Sequence, residues 1–278
     1  MSTHQTPEPP RLRLELTAGR IDVTTWDEPV TEVSVEPMSN DPASIEAAAS
    51  VREELRETAG RQEVIVEAQG KRSFLSLRRE PELRFTIRAP HGTEVHAKTA
   101  SAELTALGRL GGVDIATVSG DLTLGEVDGI ATLKTVSGDI EITRVGGALR
   151  CSTVSGDLDI GPVGGEASLS AVSGDIRIAE SGDSVGVKSV SGDLLLDAVS
   201  RGEVRVQSIS GDITVGVVPG ARLWMDVSTA SGTTESELDP LESDLGGRDV
   251  DLRITGKSTS GDVRLFRAKA PSGHAAGR

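Results

Sequence analysis

Six copies of one tripeptide, Ser-Gly-Asp, stand at an almost constant step along this 278-residue chain. They are Ser119-Gly120-Asp121, Ser137-Gly138-Asp139, Ser155-Gly156-Asp157, Ser173-Gly174-Asp175, Ser191-Gly192-Asp193 and Ser210-Gly211-Asp212. The interval is 18 residues until the last, which is 19. A period near twenty with strand-like filling is the signature of a solenoid. After each phrase, aliphatic residues alternate with polar or small ones: Leu122/Leu124, Ile140/Ile142, Leu158/Ile160, Ile176/Ile178, Leu194/Leu196 and Ile213/Val215. That period of two marks a strand with one buried face. Eight residues past each serine a further aliphatic position follows, at Val127, Val145, Val163, Val199 and Val218, with Ser181 breaking the series. Glycines at 129, 147, 165 and 202 mark a second turn. A second alternating run, such as Leu149/Cys151/Thr153, leads back to the next phrase.

Each period is therefore two short strands and two turns, and it must be repeated to be stable. One coil buries about five apolar side chains, worth roughly 1.5–3 kcal/mol each. Fixing its backbone costs about 1–2 kcal/mol per residue. Stacking tips the balance, because each rung adds ladder hydrogen bonds and covers its neighbour's apolar edge. The expected fold is all-β: a single-stranded, right-handed parallel β-helix or β-roll of about 18-residue, two-strand coils. Residues 101–232 form the regular solenoid, and 11–100 hold degenerate coils, with Trp26 standing where Val127 stands in its own coil. A helix is expected within the latter over about 42–57, started by Asp41 and Pro42. Residues 233–267 read as an acidic loop, Thr233 to Arg248, and closing strands. Residues 1–10 and 268–278 read as disordered ends.

Aromatic residues make up only 2% of the chain, and none is tyrosine. This argues against functions built on ring stacking, single-stranded nucleic acid binding among them. A net charge of −14 opposes nucleic acid and anionic membrane surfaces. The basic stretch Lys71-Arg72 to Arg78-Arg79 reads as the solvated face of a strand pair. No apolar run suits a signal peptide or a membrane span, so the expectation is a cytoplasmic chain without membrane insertion. The single cysteine, Cys151, occupies a slot held by Leu133 and Leu169 in neighbouring coils and reads as a small core hydrophobe. His4, His91, His96 and His274 are too scattered to serve it as a base or to bind zinc with it.

One constellation could carry chemistry. Stacked coils turn Asp121, Asp139, Asp157, Asp175, Asp193 and Asp212 into a column of like charges. The local reading gives each aspartate backbone N–H bonds within a tight turn in which glycine takes a positive φ. The sharper reading is a row of calcium ions, as in β-rolls built from Gly-Gly-x-Gly-x-Asp nonapeptides. The aspartate recurs once per 18 residues rather than once per nine, and the facing turns carry no regular carboxylate, so the turn reading ranks first. No other cofactor is expected. Catalysis needs a place where the repeat breaks to assemble an acid, a base and a cleft. The departures at Ser181-Gly182-Asp183, near Arg201 and in the acidic loop do not assemble one.

The run Val-Ser-Gly-Asp-Leu/Ile-x-Leu/Ile, closed by Thr259-Ser260-Gly261-Asp262-Val263-Arg264-Leu265, resembles a bacterial β-strand repeat family named as "putative adhesins". With its N-terminal strand pair and helix, the chain looks like the cytoplasmic-type members found in actinobacteria. The resemblance spans roughly residues 10 to 267 and implies a β-helix without known catalytic residues or an established ligand. The expected function is a non-catalytic binding or scaffolding module with a protein partner or self-association, its outward Lys134, Arg177, Lys188 and Arg205 setting partner choice. The alternatives are a calcium-binding β-roll and an end-to-end polymer.

Overall fold

The computed structural model describes residues 1–58, 60–68, 81–238 and 250–268. The alternation after and before each Ser-Gly-Asp yields two parallel ladders. In the first, Leu122–Val127, Ile140–Val145, Leu158–Ile160, Ile176–Ile178, Leu194–Val199 and Ile213–Val217 stack in register, Leu122 beside Ile140 beside Leu158 and onward. In the second, Ala131–Lys134, Leu149–Ser152, Ala167–Ser170, Val185–Lys188 and Gly202–Ser210 do the same. Every second side chain turns inward, and the inward aliphatics are essentially inaccessible: Leu133, Ile160 and Val204 at 0%, Leu158 at 1%. The coils thus share one continuous apolar core, as the parallel β-helix reading requires.

At both ends, the order of rungs in space departs from the order in the chain. Arg11–Trp26 forms a whole coil. One side of it pairs with Thr93–Ala116, and the other side pairs with Arg61–Glu67 and Leu83–Pro90, which come later in sequence. At the other end, the strands Leu252–Ser260 and Val263–Arg267 insert between the Gly202–Val217 coil and the coil built from Leu223–Ser231 and Thr234–Ser236. Side-chain content explains this second exchange. Leu252, Ile254, Val263 and Leu265 turn inward and are fully buried, with Gly256 at the inward place between Ile254 and Ser258. Leu223, Met225 and Val227 remain half-buried, and Thr234-Glu235-Ser236 offers nothing apolar, so the better-filled coil takes the interior rung.

The first end is finished differently. Val30–Pro37 runs antiparallel to Leu83–Pro90. Its other edge takes Ser2–Gln5 in antiparallel register, Ser2 opposite Val33, so part of the segment expected to be disordered is a strand. The buried Thr6 hydroxyl meets that of Thr31 at 2.9 Å and anchors the segment. The expected helix is also shorter. It spans Pro42–Ala49, started by Asp41, whose carboxylate accepts the N–H groups of Ala43 and Ser44, both at 2.9 Å. Residues 52–57, assigned to the helix from sequence, belong instead to the strand Arg52–Thr58, antiparallel to Arg61–Glu67. Cross-strand pairing of Arg52 with Glu67 and burial of Val64, Ile65 and Val66 outweigh helix propensity there.

Trp26 is not a core residue like Val127. It is half-exposed, donating its indole N–H to the Val30 carbonyl at 3.0 Å, with Arg88 5.8 Å from its ring centre. Val217, not Val218, fills the slot opposite Val199, because the ladder shifts register after Leu196 to absorb the 19-residue step. Thr234–Ser236, expected within a loop, pairs with Val263–Leu265. The Lys71–Arg79 stretch, the acidic loop from 239 to 248 with Pro240, His274 and the 269–278 tail lie outside the described residues.

Just inside each Ser-Gly-Asp corner runs a column of small polar side chains. Thr117 accepts from the Thr99 hydroxyl at 2.8 Å and from the Gly120 N–H at 3.2 Å. Ser189 and Ser208 each donate to the carbonyl two residues on. Thr135 and Thr153, both buried, find no partner for their hydroxyls among the described residues. A buried unsatisfied hydroxyl costs about 1–3 kcal/mol, and valine has nearly its shape. The double substitution Thr135→Val with Thr153→Val is expected to raise stability by about 1–2 kcal/mol in urea unfolding. A lower midpoint would show that the hydroxyls are satisfied in solution.

Candidate functional site

The register that stacks Ile140 on Leu122 also stacks the turns, and the six aspartates meet as a ladder. The Asp121 carboxylate accepts the backbone N–H of Asp139 at 3.0 Å. Asp139 takes that of Asp157, Asp157 that of Asp175, Asp175 that of Asp193 and Asp193 that of Asp212, each at 2.8 Å. The ladder then passes to the exchanged coils: Asp212 accepts from Asp262 at 2.8 Å, and Asp262 accepts from Thr233 at 2.7 Å. The N–H and hydroxyl of Thr233 hold the Asp262 carboxyl below the usual aspartate range.

These bonds run from rung to rung rather than within one turn, and their energetics favour a structural role for the aspartates. Neighbouring carboxylates about 4.8 Å apart repel by about 0.9 kcal/mol when water screens them, and these side chains are exposed. A hydrogen bond to a charged acceptor returns about 1.5–3 kcal/mol. Asp175→Ala strips Asp193 of its acceptor and is expected to cost about 1–2 kcal/mol. Asp175→Asn keeps an acceptor oxygen and removes the repulsion, so its urea midpoint is expected at or above wild type in low salt, converging with wild type in high salt. Equal losses for both substitutions would mean that the charge itself is needed.

One oxygen of every carboxylate is committed to the backbone of the next rung, and among the described residues no three His, Cys, Asp or Glu side chains gather to hold a metal ion. The remaining residues singled out from sequence stay apart. Cys151 lies between Leu133 and Leu169 in the core, and burial pushes its thiol up to about 12. It is expected to resist thiol reagents at neutral pH in the folded chain and to react fully in denaturant. Fast labelling of the native protein would contradict this placement. Ser181 occupies the valine slot, buried, with its hydroxyl donated to the Asp183 carbonyl at 2.9 Å. His4, His91 and His96 meet Glu53, Thr25 and Glu94 respectively, at separate points of the first coils. Arg177 bridges Asp159 and Asp197, and Arg205 pairs with Glu203, while Lys134 and Lys188 extend outward.

Near the first end, a depression of about 320 Å³ is lined by Arg11, Arg13, Glu15, Glu63, His96 and Lys98. Arg11 of this lining also joins a cross-strand ion network centred on Glu94, which pairs with Arg11 and Arg61. Burial pushes the Glu94 carboxyl up, but the two guanidiniums outweigh it and hold the group below its ordinary value.

One feature escaped sequence reasoning. The residue just before each serine points outward and is apolar: Val118, Val136, Val154, Val172, Val190 and Ile209, between 41 and 54% exposed. The alternation itself carried the signal. With Thr135 inside, Val136 must lie outside.

Two ladders closed around an aliphatic core, with turns tied by a carboxylate ladder, define a single-chain β-solenoid repeat protein. The chain belongs to the Toastrack DUF4097 family, whose model matches residues 12–265. No curated protein matches it. Among solved structures it is similar to a "putative adhesin" from Bacteroides fragilis, with 13% identity, 95% of each chain covered and a TM-score of 0.41. It is also similar to a "putative adhesin" from Parabacteroides distasonis, with 13% identity, 95% of each chain covered and a TM-score of 0.37. Among the described residues, no helix is long and apolar enough to cross a membrane.

Proposed function

We propose that this chain is a non-catalytic scaffold that holds a protein partner along its solenoid surface. The observation that carries the reading is the use made of the repeated carboxylates. Each serves its own turn by binding the next rung, and what the repeat presents outward is long columns of like side chains. Columns of this kind suit an elongated protein contact, where complementarity is spread over many rungs. A cytoplasmic setting is part of the same proposal. Recovery of the chain at the cell surface would count against that setting.

The scaffold reading is tested by affinity capture from native lysate at physiological salt, with the whole chain as bait. A partner that survives washing supports it, and none surviving removes it. A second reading, end-to-end polymerisation, is favoured by one observation. Leu223–Ser231 pairs with Leu252–Ser260 on one side only among the described strands, and its inward Leu223, Met225 and Val227 are half-exposed. Sedimentation showing monomer at high concentration would dismiss that reading.

A further inference from the structure

The six outward aliphatic residues before the Ser-Gly-Asp turns form one unbroken stripe. Ser137 N–H bonds the Val118 carbonyl, Ser155 that of Val136, Ser173 that of Val154, Ser191 that of Val172 and Ser210 that of Val190, at 2.7–2.9 Å, so the valines sit directly rung over rung. The stripe has defined ends, because the corresponding positions in the flanking coils are Ala100 and Thr259. Six rungs at the spacing of paired strands give a length of about 24 Å. Six side chains, each about half exposed, form a patch of the few-hundred-Å² class that marks functional apolar surface on monomers.

Its two flanks differ. On one side stands the aspartate ladder, none of whose members from Asp121 to Asp212 has a cationic partner among the described residues. Midway along that side, a depression of about 310 Å³ is lined by Asp157, Asp159, Asp175, Arg177, Asp193 and Leu195. Carboxylates rimming aliphatic surface suit a Lys or Arg, whose stem is apolar and whose head is charged. On the other side, the outward residues Lys134, Ser152, Ser170, Lys188 and Gln207 are neutral or basic.

Resting on the scaffold reading, we propose that this stripe is the docking site for an amphipathic α-helix of about 16 residues, apolar along its centre and basic along one flank. Pitch selects a helix. Its turns repeat every 5.4 Å or so, close to the rung spacing of about 4.8 Å, so about four turns place one apolar and one basic side chain on successive rungs. A strand along the same line repeats its facing side chains every ~6.8 Å and falls out of step within two rungs. A second copy of this chain is the poorer fit, since it brings another aspartate ladder and a net charge of −14.

The test is fluorescence anisotropy of the full chain with a labelled 18-residue peptide carrying one Leu per turn and Lys along one adjoining flank. Saturable one-to-one binding is expected. It should weaken at least tenfold for the variant V136T/V154T/V172T, whose threonines keep β-branching at exposed sites. The same loss is expected for a peptide with Glu in place of Lys and for one interrupted by Pro. The variant D157N/D175N should bind at least threefold more weakly and with a shallower salt dependence. Absence of saturable binding, undiminished binding to the threonine variant or equal binding of the Pro peptide would overturn the proposal. A stripe-dependent dimer in sedimentation would overturn it in favour of self-pairing. If the peptide fails while a lysate partner stays on the threonine variant, the stripe assignment falls and the scaffold reading stands. If the lysate yields nothing either, both fall.

Discussion

Gly174→Ala is expected to lower stability by about 4 kcal/mol or more, measured by urea unfolding, while Gly182→Ala leaves stability within about 0.5 kcal/mol of wild type. Gly174 has φ of +116°, and a β-carbon there would lie 2.3 Å from the Gly156 carbonyl oxygen and 2.8 Å from its carbonyl carbon. Both are backbone atoms of the rung beneath, held by the ladder hydrogen bonds, so they cannot step aside without parting two coils. Gly182 lies only one turn away in the same stack. It has no positive φ, and the nearest atom to its added β-carbon is 3.6 Å distant. Gly220 separates the two contributions: its φ is +92° but nothing lies within 4 Å, so Gly220→Ala should show backbone strain alone, about 1–2 kcal/mol. If Gly174→Ala costs no more than Gly220→Ala, the rungs are not in the close contact on which the fold depends.

That comparison shows what the phrase Ser-Gly-Asp could and could not disclose beforehand. Its spacing placed the strands, the shared core and the stacked aspartates, because period and alternation are local properties written once per coil. It also suggested that each glycine is there for a positive φ. Gly156, Gly174, Gly192 and Gly211 do adopt one, whereas Gly120 and Gly138 do not. The requirement common to all six is the approach of the next rung, and a single coil's sequence holds no record of its neighbour's distance. The exchanged coils at both ends were hidden for a related reason. Leu223–Val227, at the end of the expected regular solenoid, and Val263–Leu265, among the expected closing strands, both alternate as coil strands do, but which one takes the interior place depends on the relative burial of the two, a comparison made across the stack. Arg52–Thr58 misled because its Glu-Glu-Leu-Arg-Glu content suits a helix, and only the Arg61–Glu67 partner makes it a strand. The candidate site shows the same division. The carboxylate ladder follows from the repeat. The outward valines follow from it too, once Thr135 and its equivalents are known to face inward.

Ile160→Asp is the complementary experiment, since it breaks the stack from within the core rather than at the turn. Ile160 is fully buried between Ile142 and Ile178 in register. The substitution forfeits about 1.5–3 kcal/mol of apolar burial and leaves a carboxyl without partners, adding about 1–3 kcal/mol even when it is protonated. A total near 4–5 kcal/mol is expected. The same change at Met225, half-buried in the outermost coil, should cost less than about 1 kcal/mol. The contrast follows from one-dimensional stacking: an interior rung supports a neighbour on each side, whereas an outermost rung supports one. Losing the Ile160 rung uncouples the coils before it from those after it, so its urea curve should broaden or split into two transitions, each with a smaller slope. Met225→Asp should keep a single transition of wild-type slope. A single sharp transition for Ile160→Asp, merely shifted, would mean that the two halves remain coupled by contacts other than the rung between them. The solenoid would then unfold as one globular unit.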